Sequence, residues 1–349
     1  MTHRLAVVGA DHQHVFQIVN DLALAGVEAA AHTTSGALIG EYAKWQPRSR
    51  ESEFHEILFD DTIDIVVVAG VPSERASAAV IALRAGKWVV SDKPGATTIE
   101  QLDEIRSAAS GHSGRRWTVV FSERLTSRST KRAVELAQGG AIGNVVHIIG
   151  SGPHLLAARH RPAWFWDPVS SGGILADIGS HQVDQFLTIV GPAASELAAV
   201  TAAEVGNAAN PDHPRMEDIG AMTIVARSAT GAPARGDFRV DYLTAKGLGT
   251  WGDVRLKIIG TAGTIESRSN IDIGGAPGAD HLFLVDQSAA VRVDVSDVRL
   301  DWAALLVADV DDNRERLMPI DHPFRVTELS IKAQMLAGIW GTGGTAISP

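Results

Sequence analysis

The sequence predicts an α/β protein with a doubly wound parallel sheet in its N-terminal third. Three observations carry this. Short apolar runs alternate with segments of helical period from Leu5 to Phe121. The runs Leu5–Val8 and Ile65–Ala69 are apolar throughout, as strands buried on both faces are. Polar or turn-forming stretches (Gly9 to His14, Pro72, Asp92-Lys93-Pro94) sit at the carboxyl ends of the runs, where such sheets bind ligands.

Leu5 to Val8, closed by Gly9, reads as the first strand, and Val15 to Ala25 as the helix after it. Glu28 to His32 reads as a strand and Leu38 to Trp45 as a helix. Ile63 to Ala69 is a buried strand closed by Gly70 and Pro72. Ser77 to Ala85 reads as a helix, with Gly86 as its stop. Trp88 to Val90 is the next strand. Ile99 to Ala109 is a helix capped by Thr97 or Thr98, with Glu100 in its first turn. Trp117 to Phe121 is a further strand.

The first strand ends in Gly9-Ala10-Asp11-His12-Gln13-His14, which keeps one glycine of a G-x-G-x-x-G phosphate loop. Asp11 takes the second glycine position and His14 the third. A carboxylate there repels a pyrophosphate unless it is turned away, and His12 or His14 could supply a compensating donor. The second strand ends in His32-Thr33-Thr34-Ser35 instead of an acidic residue. Those hydroxyls suit a ribose or a 2′-phosphate, so NAD and NADP are not separated. The expected dinucleotide contacts are Gly9, Ala10, Asp11, His12, Thr33, Thr34, Pro72, Asp92 and Lys93.

The 349 residues suit two domains or one large one. A net charge of −10 without basic runs argues against nucleic acid and anionic membranes as partners. With no cysteine, disulfides, thiolate nucleophiles and cysteine metal sites are excluded, and a reducing cytoplasm is the expected location. Leu5 to Val8 is too short for a signal-peptide core, and no run reaches membrane-spanning length.

In the second half, Ser171 to Phe186 combines two glycines with an apolar run of helical period. Asp177 and His181 are i and i+4, hence on one helix face, where a carboxylate orients an imidazole for acid–base work or forms a plain surface pair. With these residues and Asp92-Lys93-Pro94 placed, the chain resembles the glucose–fructose oxidoreductase/inositol dehydrogenase/rhizopine-catabolism (Gfo/Idh/MocA) family. Gly86 to Pro94 is similar to that family's "aGKhVlxEKP" segment, with Asp92 for Glu. Gly139 to Val145, Trp166-Asp167-Pro168 with Gly172-Gly173 and Asp177 to Asp184, and Leu256 to Glu266 resemble further family segments in the same order.

The resemblance implies a Rossmann domain at 1–122 and a C-terminal α/β domain at 123–340 with a large open, mostly antiparallel sheet. It also implies an NAD or NADP cofactor and hydride transfer at a hydroxyl or carbonyl of a sugar, sugar derivative or cyclitol. Lys93, Asp177 and His181 would then be catalytic: Lys93 or His181 takes the hydroxyl proton, and Asp177 orients the imidazole or bonds a neighbouring hydroxyl. The other readings are a redox-neutral lyase, epimerase or glycosidase on the same scaffold, and a non-catalytic sugar- or dinucleotide-binding regulator.

Arg124, after the last Rossmann strand, suits a polar substrate or, equally, a domain-interface salt bridge. His154, His160 and Trp164 lie in a loop able to grip a polyol, aromatic faces against C–H groups and imidazoles on hydroxyls. His147, His154, His160 and His181 show no compact ligand spacing, so no metal is expected. Several further strands between Ala221 and Val295 precede helices at Leu305 to Asp312 and Val326 to Ile339. Residues 341–349 read as a flexible tail, and a broad open sheet needs cover, so a homodimer or homotetramer is expected.

Overall fold

A computed structural model describes residues 2–110, 116–191, 194, 197–227 and 232–340. The expected tail, 341–349, lies outside the described residues. The first sheet is six-stranded and parallel, ordered β3-β2-β1-β4-β5-β6. Its strands are β1 (Arg4–Ala10), β2 (Glu28–His32), β3 (Arg50–Glu51), β4 (Ile65–Ala69), β5 (Trp88–Asp92) and β6 (Trp117–Val120). Helices α1 (His14–Leu24), α2 (Ile39–Trp45), α3 (Phe54–Phe59), α4 (Pro72–Arg84) and α5 (Ile99–Ser110) alternate with them. Every residue of β4 is buried, as an unbroken apolar run at the centre of a two-sided sheet must be. α4 starts five residues before the expected Ser77, because Pro72 occupies a first-turn position that needs no backbone N–H. β3 has only two residues and α3 one and a half turns, too short to leave a periodic signal.

α6 (Ser122–Leu125) and α7 (Arg128–Gln138) lead into a nine-stranded sheet ordered β14-β13-β12-β11-β7-β10-β9-β8-β15. Its strands are β7 (Val145–Pro153), β8 (Ala199–Gly206), β9 (Ile219–Arg227), β10 (Pro233–Asp241), β11 (Arg255–Gly260), β12 (Thr264–Arg268), β13 (His281–Val285), β14 (Ala290–Val293) and β15 (Gly338–Ile339). Only the β7–β10 and β8–β15 pairs are parallel, so the sheet is mostly antiparallel. One face is covered by α10 (Gly179–Val190), whose Val183, Phe186 and Ile189 join the core. The short helices α8 (Pro168–Ser171) and α9 (Ile174–Asp177) precede it. The apolar run of helical period expected after Gly172-Gly173 is helical from Ile174 onward, and α9 and α10 meet at Ile178, whose backbone stays in the α region (φ −78°, ψ −38°), with Asp177 and His181 either side of it.

α11 (Trp302–Asp312) and α12 (His322–Leu336) complete the fold. α11 does not stay with its own sheet. Trp302, Ala303 and Leu306 join the core of β1, β4 and α1, and Trp302 Nε1 donates to Asp21 (2.9 Å). The first domain is thus completed by a segment some 180 residues downstream of the expected boundary at 122. α12 stops at Leu336, short of the expected Ile339, because Gly338 and Ile339 pair with β8.

Candidate active site

The carboxyl ends of β1 and β5 meet the joint between α9 and α10 across a cleft of about 860 Å³. Gly9 turns the chain out of β1 with φ +72°, and a Cβ there would lie 2.7 Å from Gly70 Cα, so the close approach of β1 and β4 requires glycine. Asp11 borders the cleft, and its Oδ1 accepts from Ala37 N (2.9 Å). The 33–38 loop folds back over the turn: Ala10 N donates to Ser35 O (3.1 Å) and Leu38 N to Ala10 O (2.7 Å).

The structure divides the expected dinucleotide contacts into two groups. Gly9, Ala10, Thr33, Thr34, Pro72 and Asp92 do not line the cleft, whereas Asp11, His12 and Lys93 do. Thr33 Oγ1 instead accepts from Gly9 N (3.2 Å), Thr34 is exposed, and Pro72 is buried at the start of α4. The loop has taken the backbone groups of Ala10 for itself.

Asp92 is fully buried and carries four donors. His12 Nδ1 approaches Oδ2 (2.5 Å) and His14 Nδ1 approaches Oδ1 (2.9 Å). Arg75 Nη2 donates to Oδ2 (3.2 Å) and Lys93 N to Oδ1 (2.8 Å). Burial alone would raise this carboxyl, but the two imidazoles and the guanidinium hold it well below its usual range. Burial pushes His12 down to about 4, with His14 adding to the shift, so His12 is neutral near pH 7. His12, His14 and Asp92 form a cluster of three ligand-type residues, away from the histidines whose spacing the sequence offered for a metal.

Lys93 Nζ donates to Asp177 Oδ1 (2.7 Å), and Tyr242 Oη donates to Asp177 Oδ2 (2.8 Å). Burial opposes the Asp177 charge, yet the Lys93 charge and hydrogen bond hold it below the usual carboxylate range. The expectation that Asp177 orients His181 is corrected: both carboxylate oxygens are taken from outside its own helix. His181 is buried, and its Nδ1 has no partner among the described residues. Burial, then the Lys93 charge, keep its imidazole neutral.

His154, His160 and Trp164 line the cleft, Trp164 with its ring 6.1 Å from that of His12. His154 Nδ1 donates to Gly152 O (3.1 Å), and burial, then Lys93, push it down to about 3. Arg124 does not reach the cleft. It forms a two-pronged pair with buried Asp184 (2.6 and 2.7 Å), to which His322 Nε2 also bonds (2.7 Å). Asp184 stands less than one turn beyond His181 on α10 and faces α6, so the substrate role expected for Arg124 gives way to a structural one.

Sequence reasoning missed Tyr242 and Glu123. Tyr242 follows β10, far from any motif. Glu123 lines the cleft with Oε2 accepting from Gln182 (2.9 Å) and Gln185 (3.2 Å) and Oε1 unpartnered among the described residues. Burial pushes it up to about 8.

The sequence of residues 4–120 matches the oxidoreductase family with an NAD-binding Rossmann fold, and residues 130–266 match the GFO/IDH/MocA C-terminal domain. A crystal structure from Erwinia carotovora atroseptica SCRI1043, assigned as an oxidoreductase, is 34% identical, covers 97% of this chain and 99% of its own, and superposes with a TM-score of 0.90. The chain belongs to the GFO/IDH/MocA oxidoreductase family. Within this family, 1,5-anhydro-D-fructose reductase of Ensifer adhaerens is 26% identical over 203 residues, 56% of this chain and 55% of that protein. D-xylose dehydrogenase of Paenarthrobacter nicotinovorans is 26% identical over 135 residues, 37% of this chain and 34% of its own. The matches thus span a third to about half of these curated relatives' lengths.

Proposed function

We propose that this chain is an NAD(P)-dependent dehydrogenase or reductase acting on a CH–OH group of a sugar, sugar derivative or cyclitol. One observation carries the reading. Lys93, Asp177, Tyr242 and His181 converge at the deep end of a cleft whose other end opens at the start of α1. The cleft suits a dinucleotide on a track shifted from the usual one. The backbone N–H groups of His12, Gln13 and His14 have no protein partner among the described residues, and they stand at the positive end of the α1 dipole, which suits a pyrophosphate. Asp11, turned onto Ala37, does not oppose one. Ala37, Leu38 and Gln17 border the cleft beyond that point, in place of Thr33 and Thr34.

The nicotinamide, when bound, accepts or delivers the hydride. The chain supplies position and the proton's route. Asp177 fixes Lys93 Nζ from one side and Tyr242 from the other, leaving Lys93 further N–H groups for the substrate oxygen. The neutral His181 imidazole holds a lone pair for the hydroxyl proton. Trp164, His154 and His160 offer an aromatic face and imidazole nitrogens to a polyol.

The test is a fluorescence titration with NADH and NADPH, followed by a polyol and cyclitol screen. Lys93→Met is expected to lower kcat by about 100-fold or more while leaving dinucleotide affinity within about threefold. Unchanged turnover removes Lys93 from the mechanism, and no binding of either nucleotide removes the dehydrogenase reading. The half-exposed Val146, Ile149 and Val291 on the second sheet support self-association as a homodimer or homotetramer, which light scattering checks. The absence of cysteine supports a cytoplasmic location.

A further inference from the structure

The geometry points to a divalent metal site formed by His12, His14 and Asp92, taking an ion of the zinc class and opening onto the cleft. His12 Nδ1, His14 Nδ1 and a carboxylate oxygen of Asp92 all lie within 4.8 Å of one another. The two imidazoles approach different oxygens of one carboxylate, at 2.5 and 2.9 Å. Ligand atoms about 2.0–2.2 Å from a tetrahedral ion are separated by about 3.3–3.6 Å, between these contacts and the 4.8 Å bound, so side-chain shifts of about 1 Å admit one. Two imidazoles and one carboxylate with a fourth position left open is a recurring catalytic zinc set.

Three features make this more than a hydrogen-bonded carboxylate. First, the pattern is local and specific. His12 stands in the turn just before α1 and His14 opens the helix, and both rings reach the one carboxylate of Asp92. Second, two departures noted in the sequence meet at one point in space. His14 stands at the third glycine position of the loop, with His12 two residues before it, and Asp92 stands where the related segment has Glu. A glutamate would carry its carboxylate one methylene farther, into the imidazoles, so the shorter acid and the paired histidines fit only together. Third, the outer partners are in place. Arg75 and the Lys93 backbone N–H hold Asp92 from behind, as hydrogen-bond donors hold a ligating carboxylate.

Charge permits a dication there. The carboxylates of Asp11, Asp92 and Asp177 all act on Arg75, and Arg75 and Lys93 pair with Asp92 and Asp177. Both imidazoles would bind as neutral ligands through Nδ1, with Nε2 carrying the ring proton. The open position faces the cleft beside Trp164 and takes water or a substrate hydroxyl.

The test needs no substrate and no cofactor, so its outcome is independent of the dehydrogenase reading. The full chain is stripped with chelator and titrated with Zn²⁺ by calorimetry and with Co²⁺ by visible absorption. One ion per chain is expected, with the visible d–d bands of low-symmetry Co²⁺. His14→Asn and Asp92→Asn are each expected to weaken Zn²⁺ binding by about 100-fold. His55→Asn, a change at an exposed histidine, is expected to leave it unaltered. Circular dichroism confirms folding. If Asp92→Asn does not fold, His14→Asn decides, because that ring is partly exposed. Absence of saturable one-to-one binding, or equal affinity in folded His14→Asn, overturns the proposal.

Discussion

Replacing Glu123 with glutamine should stabilise the protein increasingly as pH rises. The side chain is buried, its Oε2 already accepts from two amides, and its Oε1 faces no donor among the described residues. Burial raises its pKa from 4.5 to about 8, the Lys93 charge offsetting only part. Between those values the folded chain binds a proton that the unfolded chain does not. Stability is therefore fully present below about pH 4.5 and is lost as pH climbs to about 8. A shift of this size corresponds to an upper bound of about 5 kcal/mol, reduced in practice by water reaching the cleft. Glutamine keeps the shape and the acceptor but cannot ionise. The assay is urea unfolding of both proteins at several pH values between about 5 and 9, taken as a difference so that other titrating groups cancel. The stability gain of Glu123→Gln is expected to grow by several kcal/mol across that range. A difference that stays flat with pH refutes the claim that Glu123 is folded in its protonated form.

Two further outcomes follow from the same geometry. Arg124→Ala leaves the Asp184 carboxylate buried with only His322 beside it, so the folded state should lose about 3–5 kcal/mol, read as a lower urea midpoint. A substrate role for Arg124 would instead raise KM with little change in that midpoint. Gly36→Ala adds a Cβ 2.3 Å from Ala10 N at φ +118°, so the 33–38 loop should leave the phosphate turn, at a cost of more than about 1 kcal/mol. Faster amide exchange at Ala10 and Leu38 reports that release, and unchanged exchange argues against the packing described.

Much of the first domain was legible in the sequence. Apolar runs such as Ile65–Ala69 and Trp88–Val90 sit between glycine and proline stops, and burial on both faces demands that pattern wherever a central parallel strand occurs. The cleft's position followed as well, because Asp92-Lys93-Pro94 closes one of those strands. Asp177 and His181 were found by spacing, but their relation was not. The backbone stays helical through Ile178, yet the carboxylate bonds Lys93 and Tyr242 while His181 Nδ1 has no partner among the described residues.

What the sequence determined by itself was whatever local hydrophobic period and turn chemistry dictate: the strand–helix alternation, the place of the turn after the first strand, the absence of cysteine chemistry and the residues from which a site could be drawn. What only the tertiary structure decided was pairing over long separations. It sent Arg124 to Asp184, returned α11 to the first sheet, and placed His12 and His14 against an aspartate 80 and 78 positions away. A side chain's partner is set by which buried charge it alone can neutralise once the backbone is folded, and that competition leaves no periodic trace in the chain.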